Sequence, residues 1–323
     1  MSVRFRIQRF SSSTLSTARF KPRNIFFTDH QDAAPSIPQQ SFILRPDELK
    51  DAVKEEYFRT DQSRTPQLIS LPKFSSILKG FRPGELTIFT GPTGSGKTTV
   101  LSQISLDLCM QKLPTLWGSF EIRNARLIQA MLQQILTEPV AAPEDPASPL
   151  LIPARTPFEE AFQRLTAMPM HFMNVFGSTP LEYVLVALEE AVTRQGIQLI
   201  ILDNLQFMLS GQGNGALDRF ELFDQSIAAV RNFCNRNPSV HVILVVHPRK
   251  ELDEAPLGLC SVSGTAKATQ ESDNVIILQK LVDDVRFLEV KKNRFDGELG
   301  RVKIGFSRKS RMIYELKEGG ADQ

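Results

Sequence analysis

The chain reads as an α/β protein: a mostly parallel sheet with helices on both faces, continued by short antiparallel strands. Three observations predict this. A G-x-x-x-x-G-K-[ST] pattern stands between an apolar, strand-like run and a helical period. Apolar runs at 86–90, 115–120, 170–174, 199–203 and 240–246 alternate with helical patterns at 98–111, 124–136, 157–167, 180–195 and 217–235. From residue 274 onward the pattern changes: 274–279, 285–290, 302–306 and 312–316 follow one another with no helix between. Strands separated by helices call for parallel pairing, because a crossover must return the chain to the same edge.

Composition sets the outer limits. The 323 residues, 41% hydrophobic and 23% charged, suit one large α/β domain with an attachment. No apolar run reaches the eighteen or so residues needed to span a bilayer. Cys109, Cys234 and Cys260 are far apart, so they form neither a C-x-x-C zinc pair nor a disulfide framework. Arg4, Arg6, Arg9, Arg19, Lys21 and Arg23 all precede the first acid, Asp29; removing those six from the net +2 leaves the rest of the chain at −4. A slightly acidic body argues against general coating of a polyanion and confines any nucleic-acid contact to local sites.

Taken in order, residues 1–28 are Arg-rich, Ser-rich and free of acids, the composition of a mitochondrial presequence, which a disordered basic tail resembles. Residues 29–65 form a linker with a short helix at 46–59. Pro46 opens that helix, Asp47 and Glu48 fill its first turn, and Leu49, Val53 and Tyr57 recur on one face. It is either an embellishment of its own domain or an arm for a neighbouring subunit. Residues 66–323 carry the α/β domain. Within them, Pro139, Pro143, Pro146, Pro149 and Pro153 exclude a regular element and mark a surface insertion at 138–153.

The phosphate-loop pattern comprises Gly91, Pro92, Thr93, Gly94, Ser95, Gly96, Lys97, Thr98 and Thr99. Strand, glycine-rich loop and helix are the context in which it predicts binding of ATP or another nucleoside triphosphate. Glycines let successive N–H groups face one point, and the helix N-terminus adds positive potential there. Lys97 is positioned to reach the β/γ-phosphates and Thr98 to ligate Mg²⁺. Asp203 ends an apolar strand, where a carboxylate can order the water shell of that ion, as Asp residues do in phosphate-loop ATPases.

Five further residues, in three places, carry chemistry with open alternatives. Glu121 follows the second strand, as a general base for water or as an acid at a helix start. His247 ends the strand at 240–246, either as a γ-phosphate contact or as a structural histidine. Lys291, Lys292 and Arg294 precede a turn at Asp296-Gly297; Arg294 can serve its own nucleotide, serve a neighbour's as an arginine finger, or belong to a solvated hairpin.

Gly91–Thr99, Trp117-Gly-Ser-Phe-Glu121, Asp203-Asn-Leu-Gln-Phe-Met208, Val246-His-Pro-Arg-Lys250, Gly264-Thr-Ala-Lys-Ala-Thr-Gln270 and Asn293-Arg-Phe-Asp-Gly297 stand in a distinctive order. Over 66–316 they resemble the helicase domain of the Twinkle family, mitochondrial replicative helicases related to phage helicase-primases and DnaB-type ring helicases. The resemblance implies a RecA-type core in a hexameric ring with nucleotide and Mg²⁺ at each interface. It gives Lys97 and Thr98 the phosphate-loop roles, Asp203 the Mg²⁺ role and Glu121 activation of water. It makes His247 a γ-phosphate sensor, Gln270 a nucleotide-to-DNA coupling residue, and Arg294 a finger acting in trans with Lys292 beside it. Segments 210–218 and 251–264 would face single-stranded or forked DNA in the channel, and the 46–59 helix would pack on the next subunit. Mitochondrial replication proteins are the implied further partners, in the matrix or nucleoid. The family carries a primase-like region before its helicase domain; here a presequence-like tail leads almost directly into the linker, so priming is not expected. The resemblance assigns no role to the 138–153 insertion. Two other functions fit the same fold: an ATP-dependent strand-annealing or recombinase-like DNA-binding protein, and a regulatory subunit of a longer relative. Glu121, His247 and Arg294 together favour turnover.

Overall fold

A computed structural model describes residues 45–51, 53–54, 65–136, 157–210, 216–249, 256–262, 266–280 and 285–316. The presequence-like tail, the linker up to residue 44 and the Pro-rich insertion lie outside these residues. Two compact units divide at 53/54. In the first, 46–49 form turns and helix begins at residue 50, with Val53 N–H donating to Leu49 O at 2.8 Å; residues 55–59 of the expected 46–59 helix are outside the described residues.

The second unit is built on one nine-stranded sheet. In chain order its elements are α1 (Pro72–Leu78), β1 (Leu86–Thr90), α2 (Lys97–Met110), β2 (Thr115–Ser119), α3 (Asn124–Leu136), α4 (Pro157–Thr166), β3 (Met170–Phe172), α5 (Leu181–Gln195) and β4 (Leu199–Asp203). They continue with α6 (Leu205–Met208), α7 (Ala216–Arg236), β5 (His241–Val245), a 3₁₀ turn at Leu259–Ser261, α8 (Lys267–Glu271), β6 (Asn274–Lys280), β7 (Arg286–Asn293), β8 (Gly300–Ser307) and β9 (Met312–Glu315). The strand order is β3-β2-β4-β5-β1-β6-β7-β8-β9. β6 lies parallel to β1, and antiparallel pairing starts at β6/β7. The sequence pattern alone puts that change one strand too early. The correct signal is nevertheless in the chain: 274–279 is buried on both faces, like the parallel strands, whereas β7 alternates.

Alternate residues of the central strands feed two cores. Leu199, Ile201, Ile243 and Val245 point to the α1–α4 side, and Ile200, Leu202, Val242 and Leu244 to the α5 and α7 side. A sheet covered on both faces needs such continuous apolar runs, and each fully buried Leu or Ile contributes about 1.5–3 kcal/mol. Helix α2, which follows the phosphate loop, is buried on nearly every side, so its polar residues need partners. Gln103 clamps β9 by donating to Ile313 O at 3.0 Å and accepting from Ile313 N–H at 2.7 Å. Ser105 accepts from Trp117 Nε1, and Asp107 from the Ser70 backbone and hydroxyl. The loop helix is thereby fixed to the sheet and to the last strand.

Candidate nucleotide site and its distant partners

The candidate site lies at the C-terminal edge of the parallel strands. Gly94 and Gly96 have φ of 73° and 99°, left-handed conformations that side chains disfavour and that let the loop turn its N–H groups inward. Gly91 is needed for another reason. A Cβ there would lie 2.6 Å from Leu278 O, so the loop's entry presses directly on β6.

Lys97, 7% exposed, donates through Nζ to Gly91 O at 2.9 Å and Pro92 O at 3.0 Å. Burial holds its pKa below the usual lysine value, opposed by Asp203 and Glu121. Thr98 Oγ1 donates to Asp203 Oδ2 at 2.6 Å. Burial pushes Asp203 up to about 6, an effect that the Thr98 hydrogen bond opposes. Thr98 and Asp203 are a hard oxygen pair suited to Mg²⁺, and among the described residues no group of three or more His, Cys, Asp or Glu could hold a metal. That donor set fits an ion that takes few protein ligands and completes its shell with water and phosphate oxygens.

Asn204 joins the remaining groups. Its Oδ1 accepts from Phe207 N–H at 3.0 Å, capping α6. With the oxygen used in that way, Nδ2 faces Glu121 Oε2, with which it hydrogen-bonds, and His247 Nε2 at 2.9 Å. His247 Nε2 and Glu121 Oε2 are 3.6 Å apart. Gln206 accepts from His247 N–H at 3.0 Å and so fixes the backbone that carries the ring. His247 Nδ1 is buried without a partner among the described residues. Burial, then Lys97, lowers the imidazole pKa, and Glu121 raises it. Asn204 and Gln206 stand inside the motif match at 203–208, which gives neither of them a role. An Asn directly before an apolar turn is a cap signal that singles out Asn204.

Beside the loop opens a cleft of about 440 Å³, lined by Gly94, Ser95, Thr99, Arg286, Phe306 and Arg308 among others. Phe306 is 39% exposed there. An aromatic face with two guanidinium groups suits a nucleobase and its phosphates.

Lys97, Thr98, Glu121, Asp203 and His247 therefore meet around one point. Gln270, Lys292 and Arg294 do not join them. Asn293 pairs with Asn274, which pairs with Thr87. This places the end of β7 about four residues of strand, roughly 13 Å, from Gly91. The structure thus keeps Arg294 away from the phosphate loop of its own chain. Instead its side chain donates to Gln270 O and lies 3.5 Å from Asp273. Lys292 donates to Ser272 O at 2.6 Å and to Thr269 O, closing the end of α8. Burial and the nearby Arg294 lower its pKa to about 8. Gln270 is exposed on α8.

A family profile described as an AAA domain matches residues 56–253. The chain is 24% identical over 259 residues to the replicative DNA helicase DnaB of Mycoplasma genitalium, an alignment covering 72% of this chain and 53% of that one. It therefore spans about half the length of that curated relative. Two solved structures share the fold at 16% identity. One, described as an ATPase domain, superimposes with a TM-score of 0.67 over 84% of this chain and 98% of its own. The other, a DnaB-like replicative helicase described with its interactions with primase, gives 0.66 over 84% and 69%.

Proposed function

The chain belongs to the AAA-domain family whose profile spans residues 56–253, and from that premise we propose that it is a nucleoside-triphosphate-driven DNA helicase of the DnaB-like kind, working as a ring on single-stranded DNA. The observation that carries this reading is the convergence of Lys97, Thr98, Glu121, Asp203 and His247 at one strand edge, with Arg294 displaced to the other.

In this mechanism Lys97 exchanges the Gly91 and Pro92 carbonyls for the β/γ-phosphates. Thr98 and Asp203 would hold Mg²⁺ in place of their mutual hydrogen bond. When bound, the ion would supply neutralisation of phosphate charge. Glu121 orients and deprotonates the attacking water, and Asn204 holds that carboxylate against His247. Loss of the γ-phosphate changes the contacts of His247, and through Gln206 and Pro248 the chain that follows it. Arg294, far from its own loop, completes the site of the adjacent subunit, with Lys292 and Gln270 beside it at the interface.

The finer reading is a Twinkle-type mitochondrial enzyme acting at replication forks. It is supported by the acid-free basic residues 1–28 and the ordered motif set over 66–316. Among the described residues no helix is long and apolar enough to cross a membrane.

Duplex separation on forked DNA with a 5′ single-stranded tail, with ATP and Mg²⁺, tests the proposal, with Lys97→Ala as blank. Strand release by the wild type alone is expected. DNA-stimulated hydrolysis with no release would turn the reading toward an annealing or recombinase-like factor. Import of residues 1–28 fused to a reporter tests the compartment; a reporter left outside mitochondria overturns it.

A further inference from the structure

The stretch 256–262 is strapped from two sides. Pro248 and Val262 form an antiparallel bridge, and Arg249 N–H donates to Ser261 O at 2.7 Å, next to His247. At the other end, Leu257 N–H donates to Gln279 Oε1 at 3.0 Å, while Gln279 Nε2 donates to Leu257 O at 2.7 Å. One side-chain amide thus reproduces the paired bonds of a backbone ladder. The same Nε2 donates to Glu289 Oε2 at 2.9 Å, and Glu289 is held by Lys291 at 2.8 Å. A carboxylate only accepts, so the amide nitrogen must face Glu289 and its orientation is fixed. Gln279 is 3% exposed, a buried amide with its hydrogen bonds made.

Its neighbour Leu278 faces the opposite side of the sheet and touches the phosphate loop. A Cβ on Gly91 would lie 2.6 Å from Leu278 O and 3.1 Å from Leu278 Cβ, so there is no slack between loop and strand. Successive strand residues point to opposite faces: Leu278 belongs to the core on the α2 side, Leu257 to the core on the α7 side. A shift of the loop at Gly91 must move the β6 backbone, and Gln279 carries that movement to Leu257.

We propose that Gln279 is a positioning residue that couples the phosphate loop on one face of β6 to the 256–262 segment on the other. Nucleotide binding then sets the position of a segment that meets DNA. The proposal rests on the helicase reading for that last step alone.

Gln279→Met in the full chain keeps length and burial while removing the clamp. DNA-free hydrolysis is expected to stay within about twofold of wild type, and stimulation by single-stranded DNA to fall about fivefold or more, the low end of coupling between distant sites. Hydrogen exchange gives a readout without DNA. The Leu257 amide should be protected in the wild type and respond to a non-hydrolysable ATP analogue, and should exchange fast and without response in the variant. Fast Leu257 exchange with full DNA stimulation overturns the coupling role. Nucleotide-responsive exchange in a wild type that ignores DNA upholds the coupling and sinks the DNA reading. Should Gln279→Met not fold, Glu289→Leu removes the acceptor that fixes the same amide; it is expected to weaken both responses, and wild-type responses from it overturn the proposal.

Discussion

The two ends of the parallel strands are built on opposite principles. At the N-terminal edge, around β1, β5 and β6, buried polar groups are tied to one another. Buried Arg82 donates to Leu78 O, Glu85, Asn274 and Asn293 and lies 4.5 Å over the Phe295 ring. Asp273 accepts from Leu86 N–H at 2.8 Å and pairs with Arg231. His241 donates from Nδ1 to Arg82 O and accepts from Thr87, which in turn accepts from Asn274. At the C-terminal edge polar capacity is left over. Thr90 Oγ1, Ser95 Oγ, Asn124 Oδ1 and His247 Nδ1 are buried without partners among the described residues, and His171 Nδ1 on edge strand β3 is the one such side-chain atom elsewhere. Unmet polar atoms are costly in a finished interior, and Thr90, Ser95 and His247 leave such atoms at the edge where the phosphate loop lies. The same strands therefore carry a lock at one end and a site at the other.

This contrast can be broken by experiment. Lys97→Ala should cost hydrolysis at least about 10²–10³-fold, as loss of one preorganised charge contact does. It should leave the melting temperature unchanged or raised, since a desolvated cation is removed. Wild-type turnover would refute the assignment of the loop. Arg294→Ala should bind nucleotide normally yet hydrolyse about 10³-fold or more slowly, the range for arginine fingers. Mixed with Lys97→Ala protein it should recover part of the rate; mixtures as inactive as either parent would count against action in trans.

The opposite edge should answer in stability. Arg82→Ala strands Glu85 and is expected to cost about 3–5 kcal/mol, as for one partner of a buried pair. Scanning calorimetry should show this while the folded fraction keeps its turnover; lost turnover at unchanged stability would erase the distinction between the edges. The smallest effect is a pH dependence. Burial lowers His241 from 6.5 to about 4, so the unfolded chain takes up this proton first. Its contribution is intact above pH 6.5 and is lost as pH falls toward 4, up to about 3 kcal/mol at 1.36 kcal/mol per pKa unit. Urea unfolding of wild type against His241→Gln isolates it from the carboxylates. Parallel curves between pH 7 and pH 4 would show that His241 is not held neutral.

What the sequence discloses follows the same division. Lys97, Thr98, Asp203, Glu121 and His247 are legible because each ends an apolar run or sits in a fixed spacing, and strands deliver such residues to one edge. The Arg294 alternatives are not separable from sequence, because they depend on strand direction. Once β6 is parallel to β1 and β7 antiparallel to β6, Arg294 must land at the far edge. Helix α1 escapes a sequence reading because seven residues beginning at Pro72 are too few for a periodic signal; its start is instead made by Glu315, which accepts from Phe74 N–H at 2.8 Å. The glutamines that bind elements together, Gln103 and Gln279, are equally unreadable, since a buried amide inside an apolar run looks like a blemish until its partners are known.

The separation of Lys97 from Arg294 also has an arithmetic consequence. Under action in trans, a lone subunit owns two half-sites and no whole one. An open chain of n subunits holds n − 1 complete sites, and only closure supplies the last. Turnover per subunit should then climb with protein concentration and level off when rings close, so the assembly itself counts its members before it works at full rate.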